Sequence, residues 1–207
     1  MLIRFRERSI AIGGDLREMF HQIAIRAEDK QFLRFLWRDN PEDPPQVYVM
    51  DVAIFGASCS PCIAQFVKNK NAEEFSQEYP RAAKAIIDNH YVDDYLDSVD
   101  TIAEAIELME QVKYIHANGG FELCQLVSNS TEVLRNLGVV QDISTKNLNF
   151  DSESERVLGM FCIPSSDVFT FTSPSKAEIS GSDNQLEIPT KRQVLRIIMS
   201  VFDPLGL

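Results

Sequence analysis

The chain has 207 residues, 44% hydrophobic and 25% charged, which is enough apolar material for a buried core and enough length for one domain or slightly more. Its formal net charge of −11 is the reverse of the basic face of a free-standing nucleic-acid binder, so either the partner is not nucleic acid or the basic parts lie on segments outside this chain. No apolar run suits a signal peptide or a membrane span, and four cysteines without a framework spacing fit reduced thiols in an intracellular setting.

In chain order, Ser9 to Asp15 reads as a short apolar strand that ends on an acid, followed by a turn over 16–22 and an extended Ile23-Ala24-Ile25. Residues 32–38 alternate apolar and polar as a half-buried strand does. Three prolines (Pro41, Pro44, Pro45) make 39–46 a loop, and 47–55 is a third strand. A small-residue turn over 56–61 feeds a helix from about 61 to 70, with Ser60 as its cap and Pro61 in the first helical position. Helix continues to 89 with a bend at Tyr79-Pro80, its stripe being Phe75, Ala82, Ala83 and Ile86. Residues 101–117 form an amphipathic helix with Ile102, Ala105, Ile106, Met109, Val112 and Ile115 on one face, closed by Gly119-Gly120. A strand over 121–127, a short helix over 130–137 and a polar stretch over 142–154 follow. A strand pair over 156–162 and 168–172, a linker over 173–189 and a helix starting at Thr190 complete the chain.

The chemistry centres on Tyr91-Val92-Asp93-Asp94-Tyr95-Leu96. Aspartate is depleted inside strands, so two in a row between strand-forming flanks read as a tight hairpin turn. At a turn the up-down alternation breaks, and both carboxylates can lean towards one point. Two anions held that close repel unless a cation sits between them, and hard oxygen ligands suit Mg²⁺ completed by substrate phosphates. An Asp-Asp pair in an acidic protein is more often a plain solvated turn. A calcium loop running from Asp93 to Glu104 fails where Ser98 replaces the required glycine. A hairpin paired to the first strand would bring Asp15 beside Asp93 and Asp94. Three acids around two metals about 3.5–4 Å apart is an arrangement for in-line phosphoryl transfer. The element order predicts an α+β fold, an antiparallel sheet with helices on one face. Cys59-Ser60-Pro61-Cys62 is a C-x-x-C, but zinc would need a second pair, so neither a metal nor a redox role is expected of it.

These residues resemble a known family in several spaced segments along the chain. Asp15-Leu16-Arg17-Glu18-Met19-Phe20-His21-Gln22 is similar to the first palm motif of reverse transcriptases. Phe55-Gly56 with Ser60-Pro61 and Gln65 resembles the second, and Tyr91-Val92-Asp93-Asp94 the third. Phe35-Leu36-Trp37-Arg38, Gly119-Gly120-Phe121, Ser128-Asn129-Ser130 and Thr190-Lys191-Arg192 with Phe202-Asp203-Pro204-Leu205-Gly206 point to the Bel/Pao group of LTR retrotransposons. The resemblance runs from about Arg4 to Leu207.

The resemblance implies a ferredoxin-like polymerase palm with truncated fingers and thumb: palm and a remnant of fingers over 1–162, strand pair and linker over 163–189, and the start of a thumb or connection helix over 190–207. It implies that Asp15, Asp93 and Asp94 bind two Mg²⁺ (or Mn²⁺) as the catalytic carboxylates, with Leu16 adding a backbone carbonyl. Phe20 stands where the family places the aromatic that excludes a 2′-hydroxyl. Phe55 and Gly56 would border the incoming nucleotide. Pro61, Gln65, Tyr91, Leu158 and Gly159 would contact template and primer. The implied partners are an RNA or DNA template–primer, deoxynucleoside triphosphates and the rest of a retrotransposon polyprotein (fingers, thumb, RNase H, integrase), with no membrane. The implied setting is the cytoplasm or a virus-like particle, with nuclear access open. Two departures stand out: Gln125-Leu126 replace the family's Lys-Trp after Gly-Gly-Phe, and Cys162 replaces a tryptophan. They favour an alternative, a catalytically inactive relic or a domain co-opted for nucleic-acid binding or interaction.

Overall fold

The computed structural model describes residues 2–139, 155–157, 160–163, 168–170, 190–192 and 194–195, and shows an α+β chain. It divides into two units, Met1–Gln141 and Asp142–Leu207. Among the described residues no helix is long and apolar enough to cross a membrane.

The first unit is built on a four-stranded antiparallel sheet. After a single helical turn, α1 (Leu2–Phe5), the apolar run becomes β1 (Ile10–Leu16). β4 (His90–Tyr91) and β5 (Asp94–Val99) form the acid hairpin, and β6 (Leu123–Ser128) lies on the other side of β1, giving the order β4-β5-β1-β6. Because side chains alternate, Ile10, Ile12, Gly14 and Leu16 share one face of β1 while Ala11, Gly13 and Asp15 share the other. Ile12, Leu16, Tyr95 and Val99 pack into the core with α3 (Pro80–Asp88) and α4 (Ile102–Asn118).

Each helix has a local reason to begin and end. Pro80 sits at the start of α3, where its missing N–H costs nothing, and small Ala82, Ala83 and Ala85 let that helix lie close. Thr101 caps α4 by accepting from the Glu104 amide at 3.2 Å, and Gly120, at φ 77°, lies just past its end. Ser130 caps α5 (Thr131–Asn136) in the same way through the Val133 amide. The bend expected at Tyr79-Pro80 separates α2 (Ser60–Glu74) from α3.

Three expectations change. Ser60 does not cap α2: it is the first helical residue, Cys59 takes the cap position, and the Ser60 hydroxyl donates instead to the Ile54 carbonyl at 2.6 Å. The strand expected over 47–55 is only β3 (Gln46–Val49), and it pairs with β2 (Arg34–Trp37) as a two-stranded ribbon. Every residue of both strands is exposed, so the alternation over 32–38 does not mark a half-buried strand. Its apolar side chains, including Phe35 stacked on Tyr48 at 5.7 Å, line a ribbon rather than a sheet that covers a core.

α2 holds a feature its polarity hides. Ala64, Lys68 and Ala72 are spaced four apart and all fully buried. Lys68 Nζ donates to the Ile86 carbonyl at 2.5 Å, serving the C-terminal turn of α3, where a cation meets the negative end of the helix dipole. Burial pulls its ammonium down to about 8, and the Asp88 charge opposes that fall.

Gly13 meets its neighbours closely. A Cβ there would lie 2.9 Å from both Leu96 Cδ2 and the Tyr95 carbonyl oxygen, and a backbone atom in a central strand cannot give way. Gly13→Ala is expected to cost about 1–3 kcal/mol of overpacking, read as a lower urea midpoint with an unchanged slope. An unchanged midpoint would show that the sheet relaxes at no cost.

The second unit contains a three-stranded antiparallel sheet, β7 (Glu155–Val157), β8 (Met160–Ile163) and β9 (Val168–Thr170). The pairing of β8 with β9 matches the strand pair expected there, and the strand expected over 156–162 is two strands, β7 and β8. Lys191 is helical, as expected after Thr190. The polar stretch over 142–154, the linker over 173–189 and Phe202 to Gly206 lie outside the described residues.

Candidate metal and nucleotide site

Asp15 and Asp94 are direct cross-strand partners in the β1–β5 register. Both point to the face opposite the helices, together with Gly13 and Leu96. Asp93 lies in the two-residue turn Val92-Asp93 that joins β4 to β5, since Tyr91 pairs with Asp94. Val92 takes φ 57°, a left-handed conformation that a β-branched residue rarely adopts. Two hydrogen bonds hold this strained turn: the Leu16 amide donates to the Asp93 carbonyl at 3.0 Å, and Gln65 Nε2 donates to the Val92 carbonyl at 3.4 Å. The end of β1 and the second turn of α2 therefore fix the position of the acid turn.

Asp97 marks the contrast between the two faces. It lies on the helix side, is buried, pairs with Arg81 at 2.9 Å and accepts from the Tyr95 hydroxyl at 3.3 Å. A calcium loop from Asp93 to Glu104 does not form, because Asp94–Val99 is strand and Glu104 belongs to α4.

Like charges directly opposite in a sheet are unfavourable, and the carboxyls record it. Burial raises Asp15 above the usual carboxylate range, and the Asp93 charge adds to it. Asp94 is pushed up to about 6, by burial first and then by the charges of Asp93 and Asp15. Arg17, just after β1, pairs with Glu122 at 2.8 Å.

A β-bulge adjoins this site. Gly13 pairs with Val127 and Asp15 with Cys124, so Gln125 and Leu126 together oppose Gly14. Gln125 takes φ 48° to make the extra step. The shift sets Cys124 beside Asp15, with Sγ 4.0 Å from Oδ2, and burial together with the Asp15 charge raises the thiol pKa. The Gly13-Gly14 pair was the sequence signal for this close approach. A Cβ on Gly14 would meet Leu126 Cδ2 at 3.0 Å and the Cys124 carbonyl at 3.1 Å.

Among the described residues no three His, Cys, Asp or Glu side chains are gathered closely enough to hold an ion as they stand. The donors nonetheless fit Mg²⁺, a hard cation that is held by one or two carboxylates, water and substrate phosphates rather than by a closed protein cage. Two facing carboxylates with raised pKa values, and a third acid on the adjoining turn, have an excess of negative charge that such a cation would offset.

The residues expected to bind nucleotide fall into two groups. Glu18 at φ 49° turns the chain after β1 into a 3₁₀ turn, Met19–Gln22, that buries Met19 and Phe20. Phe20 meets Phe55 edge-on at 4.7 Å, and Phe55 is 62% exposed. Gly56 has φ 89° with open space where a Cβ would be, which leaves its backbone accessible. Leu16 is buried, with its amide on Asp93. Pro61 is exposed at the start of α2, Gln65 reaches the acid turn and Tyr91 is exposed beside it. Leu158 and Gly159 lie outside the described residues.

No family model matches this chain, and no curated protein matches it.

Proposed function

We propose that the chain is the palm region of a reverse transcriptase similar to those of Bel/Pao retrotransposons, an RNA- and DNA-templated DNA polymerase. The observation that carries this reading is the register that sets Asp15 against Asp94, with Asp93 on the adjoining turn and Phe20 and Phe55 in contact after β1. In it, the primer 3′-hydroxyl attacks the α-phosphate of a deoxynucleoside triphosphate and releases pyrophosphate. Asp15, Asp93 and Asp94 would hold Mg²⁺, or Mn²⁺ in its place, which when bound lowers the pKa of the attacking hydroxyl and offsets charge on the phosphates. The chain's own part is positional. The strained Val92-Asp93 turn holds the acids in place, and the buried Phe20 ring backs the exposed Phe55 beside the open Gly56 backbone.

Gln125 supports the alternative of an inactive relic or a co-opted binding domain. It is exposed at the bulge beside the acids, and an amide cannot supply the proton that a lysine gives to departing pyrophosphate.

Primer extension by a form carrying finger and thumb segments separates the two. Activity should appear and fall at least about a hundredfold with Asp93→Asn or Asp94→Asn, in line with several kcal/mol of charge stabilisation. Extension that survives both changes undamaged would sink the polymerase reading, and no extension by the parent form would favour the alternative.

A further inference from the structure

Cys59 and Cys62 stand at the start of α2, both exposed and both free, and the proposed nucleotide site uses neither. Cys59 is the cap residue but already has near-helical dihedrals, φ −86° and ψ −19°. The two residues are therefore related by three helical steps, which puts their Cβ atoms about 5–6 Å apart on one side of the helix. Bridged cysteines have Cα separations of about 4.4–6.8 Å, which three helical steps give, and Cβ separations of about 3.5–4.5 Å, so closing the bond draws the first turn of the helix in by about 1–2 Å. That movement falls on the first turn, where the Ile63 amide donates to the Cys59 carbonyl at 3.0 Å and the Ser60 hydroxyl donates to the Ile54 carbonyl at 2.6 Å. Pro61 between them locks its own φ in the first turn. A zinc role would need more ligands, and among the described residues no group of three is gathered for one.

We propose that Cys59 and Cys62 form a reversible thiol–disulfide pair that exchanges with low-molecular-weight disulfides of the glutathione type. One thiolate attacks a sulfur of oxidised glutathione, forming a mixed disulfide and expelling one glutathione thiolate. The other cysteine, as thiolate, attacks the protein sulfur of that mixed disulfide, closes the Cys59–Cys62 bond and expels the second glutathione. Two protein thiols are oxidised, one glutathione disulfide is reduced to two thiols, and the protons leave with the products. Among the described residues Cys124 has no such partner: it is half-buried against Asp15, where burial and the carboxylate disfavour its thiolate. This inference does not depend on the polymerase reading.

The test is to equilibrate the full chain in oxidised and reduced glutathione mixtures, quench with acid and map the peptides by mass. The expected product has lost two hydrogens within the Cys59–Cys62 peptide and regains them with excess reduced glutathione. Cys59→Ser and Cys62→Ser should each lose that product and instead retain one glutathionyl group on the remaining thiol. Both positions are exposed, so neither change disturbs the core. Separate glutathionylation of both thiols without a bond between them would overturn the proposal. So would reaction at Cys124 while Cys59 and Cys62 stay reduced.

Discussion

Asp94→Asn is expected to lower the affinity for Mn²⁺ by more than about tenfold and, in the same protein, to raise resistance to urea at pH 7. Asp94 faces Asp15 across the β1–β5 pair and is held up to about 6 by burial and two neighbouring charges. Its folded pKa lies above its unfolded one. The folded state therefore holds the proton more tightly, and the ionised carboxylate destabilises the fold at pH 7. That penalty fades as pH falls through about 6 and is gone below the unfolded value, about 3.9. A fully buried group with this shift would cost about 3 kcal/mol, but Asp94 is only partly buried and solvent screening brings the figure nearer 1 kcal/mol. Asparagine keeps the shape without the charge. Asp15→Asn should act in the same two directions. A stabilised variant that still binds Mn²⁺ as tightly as the parent would remove Asp94 from the proposed metal set. A destabilised one would mean that the carboxylate has a structural partner.

Acid should unfold the first unit well before its surface carboxylates explain it. His90 and His116 are buried with their Nε2 atoms 3.1 Å apart, so one ring donates and the other accepts and both are neutral. Burial, the Lys68 ammonium and the neighbouring His116 ring hold His90 well below the usual histidine range. Burial and Lys68 pull His116 down to about 3. In the unfolded chain both protonate near pH 6.5, so stability is present above that value and is lost as pH falls below it. For His116 the loss is about 1.4 kcal/mol per pH unit, or about 2–3 kcal/mol from pH 6.5 to 4.5, and His90 adds to it in the same direction. Relief at Asp94 offsets about 1 kcal/mol of this. Lys68, down at about 8, stays protonated over this range and adds no slope. A loss of this size is a large fraction of the stability of a typical domain. Urea midpoints at pH 7 and 4.5 check it, and His90→Phe with His116→Leu should flatten the dependence. An equally steep fall in that double variant would place the acid sensitivity elsewhere.

The hairpin was legible because aspartates between strand-forming flanks leave few alternatives to a tight turn. Its pairing with the first strand was a supposition on sequence alone, and the β1–β5 register puts Asp15 beside Asp94. Helix ends at Pro80, Thr101 and Ser130 were equally local, since caps and prolines act within one turn. The exposure of 34–37 was not legible. Alternation states that two faces differ, not that anything is packed on either, and among the described residues only β3 pairs with that strand. The Ser60 cap was misassigned for a related reason: the hydroxyl found a carbonyl six residues back, a partner set by the loop's path.

The sequence by itself determined the main helices and sheet strands of the first unit, the acid turn and the α+β class, because propensity, capping and alternation operate over a few residues. Tertiary structure alone decided the buried groups whose partners lie far along the chain. Lys68 reads as a solvated helix residue and is buried on Ile86, and His90 meets His116 from 26 residues away. It also decided the bulge at Gln125 that places Cys124 against Asp15. The physical reason is the same in each case. Desolvation and charge coupling depend on what the fold packs around a group, and no local pattern specifies that environment.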